Sequence, residues 1–320
     1  MTASGLSEGT PKDRLSIDIL IPTFNRSHIL GGCLESFFTA DPVMSMDWRV
    51  TVVDNNSTDR TKEIVQSFSA KFGEKVRYLF EPRPGKSAAL NCGIAASDRV
   101  LIGMIDDDEL IDRTWLTVVE DCFQAQELDY IGGPYIGLWR TETPEWLPPG
   151  YAGVLSADDP ALLPPRRESF ADENLFLRGG NAVVRRTLFD RVGLYAENLG
   201  RFAEGLGSCE DHDMLKRLKT SGACGLFVPE LIIHHIVPPE RVTRGYFRKW
   251  AWDRSLSLAK MDRIAPQNVA YLGRIPRYLI GQTLRGTPRL IFGNSAVRFA
   301  AELDWRSLIG FIYGAYGTRS

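Results

Sequence analysis

The stretch IGMIDDDE at residues 102–109 passes from an apolar segment directly into four carboxylates. The apolar segment has no polar face, which is typical of a strand buried within a parallel sheet, and the acidic residues mark its end. Similar runs of apolar and β-branched residues occur earlier, each followed by a segment of helical spacing. The strand-like and helical segments, in chain order, span 17–23, 27–40, 49–53, 59–72, 76–80, 86–96 and 100–105. This alternation predicts an α/β fold with a mostly parallel central sheet flanked by helices.

The chain is less regular between 137 and 167, where it is rich in Trp and Pro and has no clear periodicity. We interpret this segment as a long loop over the sheet that covers a site, as a substrate lid or an acceptor wall. A mobile insertion is the alternative. Regular patterns then resume, strand-like at 180–185 and 225–235, and helical at 208–220 and from 241 onward.

The composition is that of an ordinary globular protein, with 320 residues of which 44% are hydrophobic and 24% charged. This excludes collagen-like, low-complexity and wholly disordered chains. The five cysteines are scattered and form no CxxC pair, which argues against a disulfide framework or a zinc module. No signal-like segment opens the chain, and no apolar run approaches the roughly 20 residues of a spanning helix. We therefore expect a cytoplasmic, reduced protein.

Charge is distributed unevenly along the chain. Residues 241–320 carry 14 Lys and Arg against 4 Asp and Glu, a net charge of +10. Residues 1–240 carry a net charge of −12, so the two parts are expected to meet different partners.

The four carboxylates at 106–109 repel one another, and such clusters persist mainly where a cation compensates them. In an extended chain Asp106 and Asp108 point to the same side, so this pair is suited to hold Mg²⁺ or Mn²⁺ against phosphate oxygens. A solvated acidic turn is the alternative.

The ends of the other predicted strands carry complementary polar groups. Residues 22–26 read PTFNR, 54–59 read DNNSTD and 81–86 read EPRPGK. Parallel sheets bind ligands at the carboxyl ends of their strands; there an Asp can accept from a base or ribose, and Lys86 at a helix start suits phosphate. Together they predict a pocket for a nucleoside diphosphate, although Ser57 and Asp59 are better explained as helix caps.

The chain resembles the bacterial glycosyltransferases of family 2, the inverting enzymes with the GT-A fold. The resemblance covers about residues 15–250 and is carried by the ordered motifs IPTFNR, VTVVDNNSTD, PGKSAALNCGIA, IDDDE, RGGNAV, CEDHDMLKRL and IIHHIVPPERVT. It implies a Rossmann-like GT-A domain with a helical C-terminal extension. The expected divisions are a flexible N-terminus at 1–14, a catalytic domain at 15–240 with nucleotide-binding and acceptor-binding halves that meet near 136, and a basic helical region at 241–320.

The resemblance also implies roles for the matching residues. Asp108 would be the direct ligand of a Mn²⁺ or Mg²⁺ cofactor, and Asp106 would contact either that metal or the ribose. The middle residue of this motif is often small in the family, so Asp107 leaves the division of labour among the three acids open. The residues implied in nucleotide binding are Pro22, Thr23, Asn25, Arg26, Asp54, Asn56, Lys86, Asp106 and Asp107.

Glu210 and Asp211 match the family's acidic pair, whose aspartate is the general base. Inverting transfer requires one base to take a proton from the acceptor hydroxyl, and Asp211 at a helix start would be kept ionised by the helix dipole. Capping of that helix is the alternative. Gly179, Gly180 and Asn181 are implied near the donor sugar, although a bulge or turn also explains the glycines.

His234 and His235 end the last predicted strand of this domain. Similar family members place a histidine here that completes the metal shell, and the spacing to Arg241 favours His235. Adjacent residues of a strand point in opposite directions, so only one of the two can do so.

The basic region at 241–320 interleaves arginines with Tyr246, Phe247, Trp250, Trp252, Trp305 and Tyr313. This mixture suggests peripheral contact with anionic lipid headgroups. Packing on the catalytic domain or on a second subunit is the alternative. The acidic remainder of the chain and the absence of a nucleic-acid motif argue against a nucleic-acid partner.

The sequence thus predicts a metal-dependent inverting glycosyltransferase. It would move a sugar from a nucleotide donor, most often UDP in this family, to a glycan or lipid-linked acceptor at the cytoplasmic face of a membrane. A nucleotidyltransferase and a non-catalytic sugar-nucleotide-binding assembly partner are the alternatives. The sugar, the linkage and the oligomeric state are left open.

Overall fold

The computed structural model describes residues 15–172, 175–199, 210–264 and 266–317. Three predictions lie outside these ranges: the flexible N-terminus at 1–14, Cys209, and the first two residues of the helix expected at 208–220. The cysteines within the described ranges, Cys33, Cys92, Cys122 and Cys224, are free.

The N-terminal part alternates strands and helices as its pattern predicts. In chain order the elements are β1 (Ser16–Thr23), α1 (Ser27–Phe38), β2 (Asp47–Asp54), α2 (Thr61–Phe72), β3 (Val76–Phe80), α3 (Lys86–Ala96) and β4 (Leu101–Ile105). Strand β1 lies between β2 and β4 and pairs with both in parallel, and β3 extends the sheet beyond β2. The carboxyl ends of these four strands therefore meet at one edge of the sheet.

The middle of the chain completes this sheet and adds a smaller one. Its elements are β5 (Glu109–Ile111), α4 (Trp115–Ala125), β6 (Tyr130–Gly132), β7 (Tyr135–Trp139), β8 (Glu168–Ser169), β9 (Asn181–Arg185), α5 (Arg186–Val192), α6 (Glu210–Thr220), β10 (Gly225–Phe227) and β11 (Ile233–Val237). The main sheet has the strand order β3-β2-β1-β4-β9-β6-β10-β8, and β9 runs antiparallel to β4. The small sheet has the order β5-β11-β7.

The core lies on both faces of the main sheet. Ile17, Ile19 and Ile21 of β1 pack in a cluster that includes α1 and α4, whereas Leu20 packs on the other face with α3 and α6. Because β1 is buried on both faces, its sequence is apolar at 17 and from 19 to 22, and the one buried acid between them, Asp18, pairs with Arg49.

Two elements differ from their predicted form. The segment at 137–167 begins with β7, which pairs with β11, and continues as short 3₁₀ helices at Tyr151–Leu155 and Pro160–Leu162. Strand β11 extends two residues past the histidines, because Ile236 and Val237 also pair with β7. The pairing of β7 with β11 joins residues about 100 positions apart, which local sequence patterns do not reveal.

The C-terminal region is helical. It contains α7 (Arg244–Ile264), β12 (Tyr271–Leu272), β13 (Ile275–Pro276), α8 (Arg277–Gly286), α9 (Arg289–Phe292) and α10 (Ser295–Tyr316). Helices α7 and α10 lie against each other closely, since a Cβ added at Gly314 would come within 2.8 Å of Ala259 Cβ. Within the described residues, no helix is both long and apolar enough to cross a bilayer.

The six aromatic residues predicted to contact lipid differ in exposure: one is buried, four are half-buried and one is exposed. Phe247 is fully buried and lies edge-on to Trp146, which also contacts Phe299 of α10. The indole of Trp305 donates to Thr287 Oγ1, and of the six aromatics only Tyr313 is mostly exposed. Tyr246, Phe247 and Trp250 therefore join α7 to the segment at 139–157, as the packing alternative expects, whereas lipid contact stays a prediction.

Candidate active site

The predicted site residues converge at the edge where β1, β2 and β4 end. Asn181, the first residue of β9, pairs with Ile105 at the end of β4, so the preceding Gly179 and Gly180 reach the same edge. A cavity of about 1280 Å³ opens there. The predicted residues that line it are Pro22, Thr23, Arg26, Lys86, Asp106, Asp107, Asp108, Gly180, Glu210, Asp211 and His235.

The acidic cluster is closed into a turn rather than extended, because the Glu109 amide donates to the Asp106 carbonyl. The extended chain on which the alignment of Asp106 with Asp108 was predicted is therefore not formed, although both residues line the cavity. Asp106 instead faces Lys86, whose Nζ lies 2.5 Å from Asp106 Oδ1.

Asp107 and Asp108 share a cation. Arg26 Nη1 lies 2.8 Å from Asp107 Oδ1 and 2.8 Å from Asp108 Oδ2. The Thr23 hydroxyl donates to Asp107 at 2.7 Å. This arrangement joins the end of β1 to the end of β4.

Asp108 is further surrounded by the C-terminal side of the site. Arg241 Nη2 lies 3.1 Å from Asp108 Oδ2, and His235 Nε2 lies 3.6 Å from Asp108 Oδ1. His234 points the other way and lies 3.3 Å from Asp112 Oδ2. Protein cations thus already compensate much of the cluster's charge, so its acidity alone does not require a metal.

The environments separate the pKa values of Asp107, Asp108 and Glu109. Burial together with the charges of Asp108 and Asp106 raises the pKa of Asp107 to about 6, although Arg26 opposes this rise. Burial would also raise the pKa of Asp108, but His235, Arg26 and Arg241 hold it well below its ordinary value. Burial and the neighbouring acids raise the pKa of Glu109 well above its usual range. Asp108 is therefore the most firmly ionised of these three acids.

Lys86 begins α3 beneath the same cavity. Burial alone would lower its pKa, but the charges of Asp106, Asp211 and Glu210 raise it, so the ammonium stays charged. The turn before it is held by Asn55, which donates to the Glu81 and Arg83 carbonyls and accepts from the Gly85 amide. Sequence reasoning chose Asn56 here, whereas Asn55 lines the cavity.

Three predicted nucleotide-binding residues organise the loops beside the cavity. Asn25 has a left-handed backbone (φ 53°) and accepts from the Thr58 amide. Asp54 is buried, and accepts from the Tyr78 hydroxyl at 2.7 Å and from the Ser57 amide at 2.9 Å. Asn56 is exposed, also with positive φ. None of the three side chains lines the cavity.

Asp211 lies at the start of α6, packed against the glycine pair. A Cβ at Gly179 would lie 2.1 Å from Asp211 Oδ1, so a side chain there collides with this carboxylate. Asp211 Oδ1 is buried and has no hydrogen-bond partner among the described residues. Burial and the charge of Glu210 raise the pKa of Asp211 to about 7. The expectation that the helix dipole keeps Asp211 firmly ionised is therefore wrong, and this carboxylate is poised to exchange a proton near neutral pH.

Gly180 makes room for a second carboxylate, which sequence reasoning did not assign. A Cβ at Gly180 would lie 2.4 Å from Glu109 Oε1. Glu109 is buried and accepts from the Asp106 amide at 2.7 Å, which braces the acidic turn. The two glycines therefore accommodate acids of the protein.

Asn181 lies beneath the cavity rather than at its surface. Its side-chain amide donates to the Pro134 and Leu231 carbonyls and accepts from the indole of Trp115. Because it is fully buried with both amide hydrogens engaged, it ties β9 to its neighbours and does not reach a donor sugar.

Arg178 is a further cavity residue that the sequence did not single out. It pairs with Asp158 and lies over the ring of Tyr135, with its guanidinium carbon 5.0 Å from the ring centroid. Its Nη1 is buried and has no partner among the described residues. Arg178 is the first residue of the RGGNAV motif, so the sequence did draw attention to this position. Its partner Asp158 lies 20 positions earlier in an irregular segment, and the pair could not be predicted from the sequence.

The expected divalent metal would need ligands from the acidic turn and its neighbours. Among the residues that the structure describes, no three His, Cys, Asp or Glu residues are grouped to hold an ion by themselves. Mg²⁺ is commonly held by only one or two carboxylates together with substrate phosphates and water. Asp108 beside His235 supplies such a partial set, with oxygen and imidazole ligands that suit Mn²⁺ or Mg²⁺. The residues present therefore fit a metal that a bound diphosphate completes.

The chain is similar to known proteins both in sequence and in structure. The family model described as glycosyl transferase family 2 matches residues 18–193. The glycosyltransferase AglE of Haloferax volcanii is 26% identical over 291 residues, covering 88% of this chain and 89% of that protein. The succinoglycan biosynthesis protein ExoM of Rhizobium meliloti is 25% identical over 244 residues, covering 75% of this chain and 72% of that protein.

Among solved structures, the mannosyltransferase PcManGT from Pyrobaculum calidifontis, in complex with GDP-Man and Mn²⁺, has a similar fold. Its TM-score is 0.61 at 16% identity, covering 97% of this chain and 89% of that one. The likeness extends over the C-terminal helices as well as the sheet. The family match covers more than half of the chain and includes the strand ends that carry the acidic cluster. The chain therefore belongs to glycosyl transferase family 2, and it is a glycosyltransferase with the GT-A fold.

Proposed function

We propose that this glycosyltransferase transfers a sugar, with inversion, from a nucleoside diphosphate sugar to a hydroxyl of a glycan or lipid-linked acceptor, with a UDP-sugar as its donor. The observation that carries the proposal is that Asp211 shares one cavity with Lys86 and the acidic turn. One side of the cavity offers groups suited to a diphosphate, and the other offers a carboxylate able to accept a proton. Membership of family 2 favours this reaction over nucleotidyl transfer or a non-catalytic role.

Asp211 is proposed as the general base. Its pKa of about 7 matches the task, because a base near the operating pH is both deprotonated and strong enough to take the acceptor's proton. Glu210 contributes by raising that pKa. A single base on the attacking side and a leaving diphosphate on the other are what inversion requires.

Lys86 and Arg26 are proposed to face the donor diphosphate. Both are cations held in place by carboxylates, Lys86 by Asp106 and Arg26 by Asp107 and Asp108. Fixed cations at the position where negative charge develops lower the barrier without further reorganisation. Thr23 positions Asp107 and, through it, Arg26.

Asp108, with His235 and Asp106 as further candidates, is proposed to hold Mn²⁺ or Mg²⁺ when the donor is bound. The metal would supply electrophilic stabilisation of the leaving diphosphate. PcManGT, which shares the fold, was solved with Mn²⁺ and a nucleotide sugar. Arg241 neutralises the same carboxylate from the C-terminal side, so it keeps Asp108 ionised for that role.

The acceptor is proposed to enter between the segment at 150–156 and α7. Gly153, Val154 and Ser156 line the cavity from one side, and Trp250 and Arg254 line it from the other. Phe176 and His212, whose ring centroids are 4.2 Å apart, lie near Asp211. Aromatic surfaces beside a base suit a sugar ring. This supports the interpretation of 137–167 as an acceptor wall. We further propose that transfer takes place at the cytoplasmic face of a membrane.

The donor is tested by thermal unfolding with UDP, GDP, dTDP, CMP or ATP, each with and without Mn²⁺ or Mg²⁺. A ligand at 100 times its Kd stabilises by about 2.7 kcal/mol, which is readily measured. We expect a metal-dependent shift with UDP and its loss in Asp108→Asn. Shifts with none of the nucleotides would contradict the proposed pocket.

The stereochemistry is tested by slow hydrolysis of the responsive donor sugar, followed by NMR at the anomeric proton. The first anomer formed should have the configuration opposite to the donor's. Release of the same configuration would contradict an inverting mechanism. Asp211→Asn should stop the reaction while nucleotide-induced stabilisation persists.

A further inference from the structure

The segment from Arg263 to Ala301 has an unusual charge pattern, with six arginines and no acidic residue or lysine. All six arginine side chains are exposed. Within the described part of the chain, none of them lies within ion-pairing distance of a carboxylate. These arginines therefore form no ion pair within the described residues, although the charge of Arg289 acts on the Asp304 carboxyl.

The same segment exposes large apolar side chains. At the end of α8 and in α9, Leu284 is 56% exposed, Ile291 68% and Phe292 84%. We call the residues Leu284, Arg285, Arg289, Leu290, Ile291 and Phe292 the α8–α9 surface. Scattered exposed apolar residues are ordinary, but consecutive ones flanked by unpaired arginines indicate a surface that meets a partner.

We infer that the α8–α9 surface binds an anionic lipid bilayer, with Ile291 and Phe292 entering the interface and Arg285 and Arg289 contacting headgroup phosphates. Apolar side chains flanked by arginines are what an interfacial segment requires, and no spanning helix is needed for this mode. The inference places the lipid contact on residues other than the buried aromatics of α7 and α10.

Charge argues against a second copy of this chain as the partner. A two-fold interface would bring the same patch against itself and place unpaired arginines together. A nucleic acid would satisfy the arginines but offers nothing to Ile291 and Phe292 at its phosphate backbone. An anionic bilayer satisfies both components at once.

The surface is connected to the active site through packed helices. Helices α8 and α9 pack on α10, α10 packs on α7, and α7 contributes Trp250 and Arg254 to the cavity wall. Lipid binding there would keep the acceptor side of the cavity near a membrane. The inference does not rest on the proposed reaction, because binding is measured without donor or acceptor.

The test is co-sedimentation of the full chain with vesicles of phosphatidylcholine alone or mixed with phosphatidylglycerol. The first variant, Ile291→Ser/Phe292→Ser, should weaken binding to the mixed vesicles at least about ten-fold through lost apolar burial. The second, Arg285→Gln/Arg289→Gln, should weaken it about five-fold for each arginine removed.

Matched controls come from the catalytic part of the chain. Leu162 is 72% exposed and the Arg166 side chain 85% exposed, so Leu162→Ser and Arg166→Gln remove similar groups elsewhere. Both should bind vesicles as the unchanged protein does. Equal unfolding temperatures for all variants show that the fold is intact.

The inference is overturned if the unchanged protein binds neutral and anionic vesicles equally, or binds neither. It is also overturned if the control substitutions weaken binding as much as those in the α8–α9 surface. Self-association in solution that the Ile291→Ser/Phe292→Ser variant abolishes, without vesicle binding, would instead assign the surface to a second copy.

Discussion

At the scale of single residues, the acidic turn shows how neighbouring carboxylates acquire different properties. Asp108 is held ionised by Arg26, Arg241 and His235, whereas Glu109, one residue later, is buried away from those cations. The pKa values of Asp108 and Glu109 differ because, after the chain turns at Asp106, the two side chains face different elements. The prediction of a charged cluster was sound, but its compensation comes from distant parts of the protein.

The pKa of Asp211 predicts the pH dependence of transfer. A carboxylate with a pKa near 7 is protonated, and inactive as a base, below that value. We therefore expect kcat/KM to rise as pH increases through about 7 and then to level off. The measurement is initial-rate transfer across the pH range where the fold is stable. A profile that is already flat from pH 5 would show that Asp211 is not the titrating base.

The raised pKa of Asp211 also predicts that its carboxylate lowers the free energy of unfolding at neutral pH. Because its pKa is raised in the folded state, the native protein binds more protons than the unfolded chain between about pH 4 and 7, so stability falls as pH rises through this window. Asp211→Asn should therefore raise the unfolding temperature at pH 8, by about 2–4 °C for each kcal/mol recovered. Below pH 4 the difference should vanish. An equal or lower melting temperature at pH 8 would count against the raised pKa of Asp211.

At the scale of elements, the position of α3 depends on Asn55. Its amide holds the turn from Glu81 to Gly85 through three hydrogen bonds, and that turn places Lys86 beneath the cavity. The adjacent Asn56 is exposed and makes no comparable contact with the turn. Two neighbouring amides thus differ in role because only one points into the protein.

Asn55→Ala should lower the free energy of unfolding by about 1–3 kcal/mol, because the Gly85 amide and two carbonyls lose their partner. It should also weaken nucleotide binding through displacement of Lys86. The matched control is Asn56→Gly, since glycine tolerates the positive φ at this position. If Asn56→Gly weakened nucleotide binding and Asn55→Ala did not, the sequence-based choice of Asn56 would be the better one.

At the scale of the whole molecule, the C-terminal helices are part of the same core as the cavity wall. Phe299 of α10 contacts Trp146 of the irregular segment at a centroid distance of 5.2 Å, and Phe247 of α7 contacts both rings in the same cluster. Arg241, at the predicted start of the C-terminal region, reaches Asp108. The helices therefore complete the site.

This packing predicts one cooperative unfolding transition for the described domain and its C-terminal helices. Phe299→Ala should lower the stability of that transition by about 3–5 kcal/mol, since it empties space between three elements. Differential scanning calorimetry measures both effects. Two resolved transitions, with Phe299→Ala moving only one of them, would show that the C-terminal helices fold independently of the catalytic domain.

The sequence by itself determined the α/β class, the order of the first seven elements and most of the residues that gather at the sheet edge. It could do so because buried parallel strands have continuous apolar runs, and because the carboxyl ends of such strands always share an edge. Only the tertiary structure decided three further features: the hydrogen bonds of Asn55, the contact of Glu109 with the acidic turn and the packing of Phe247 against Trp146 and Phe299. Each depends on a contact between residues far apart in the chain, and local patterns carry no information about which distant group a side chain will meet.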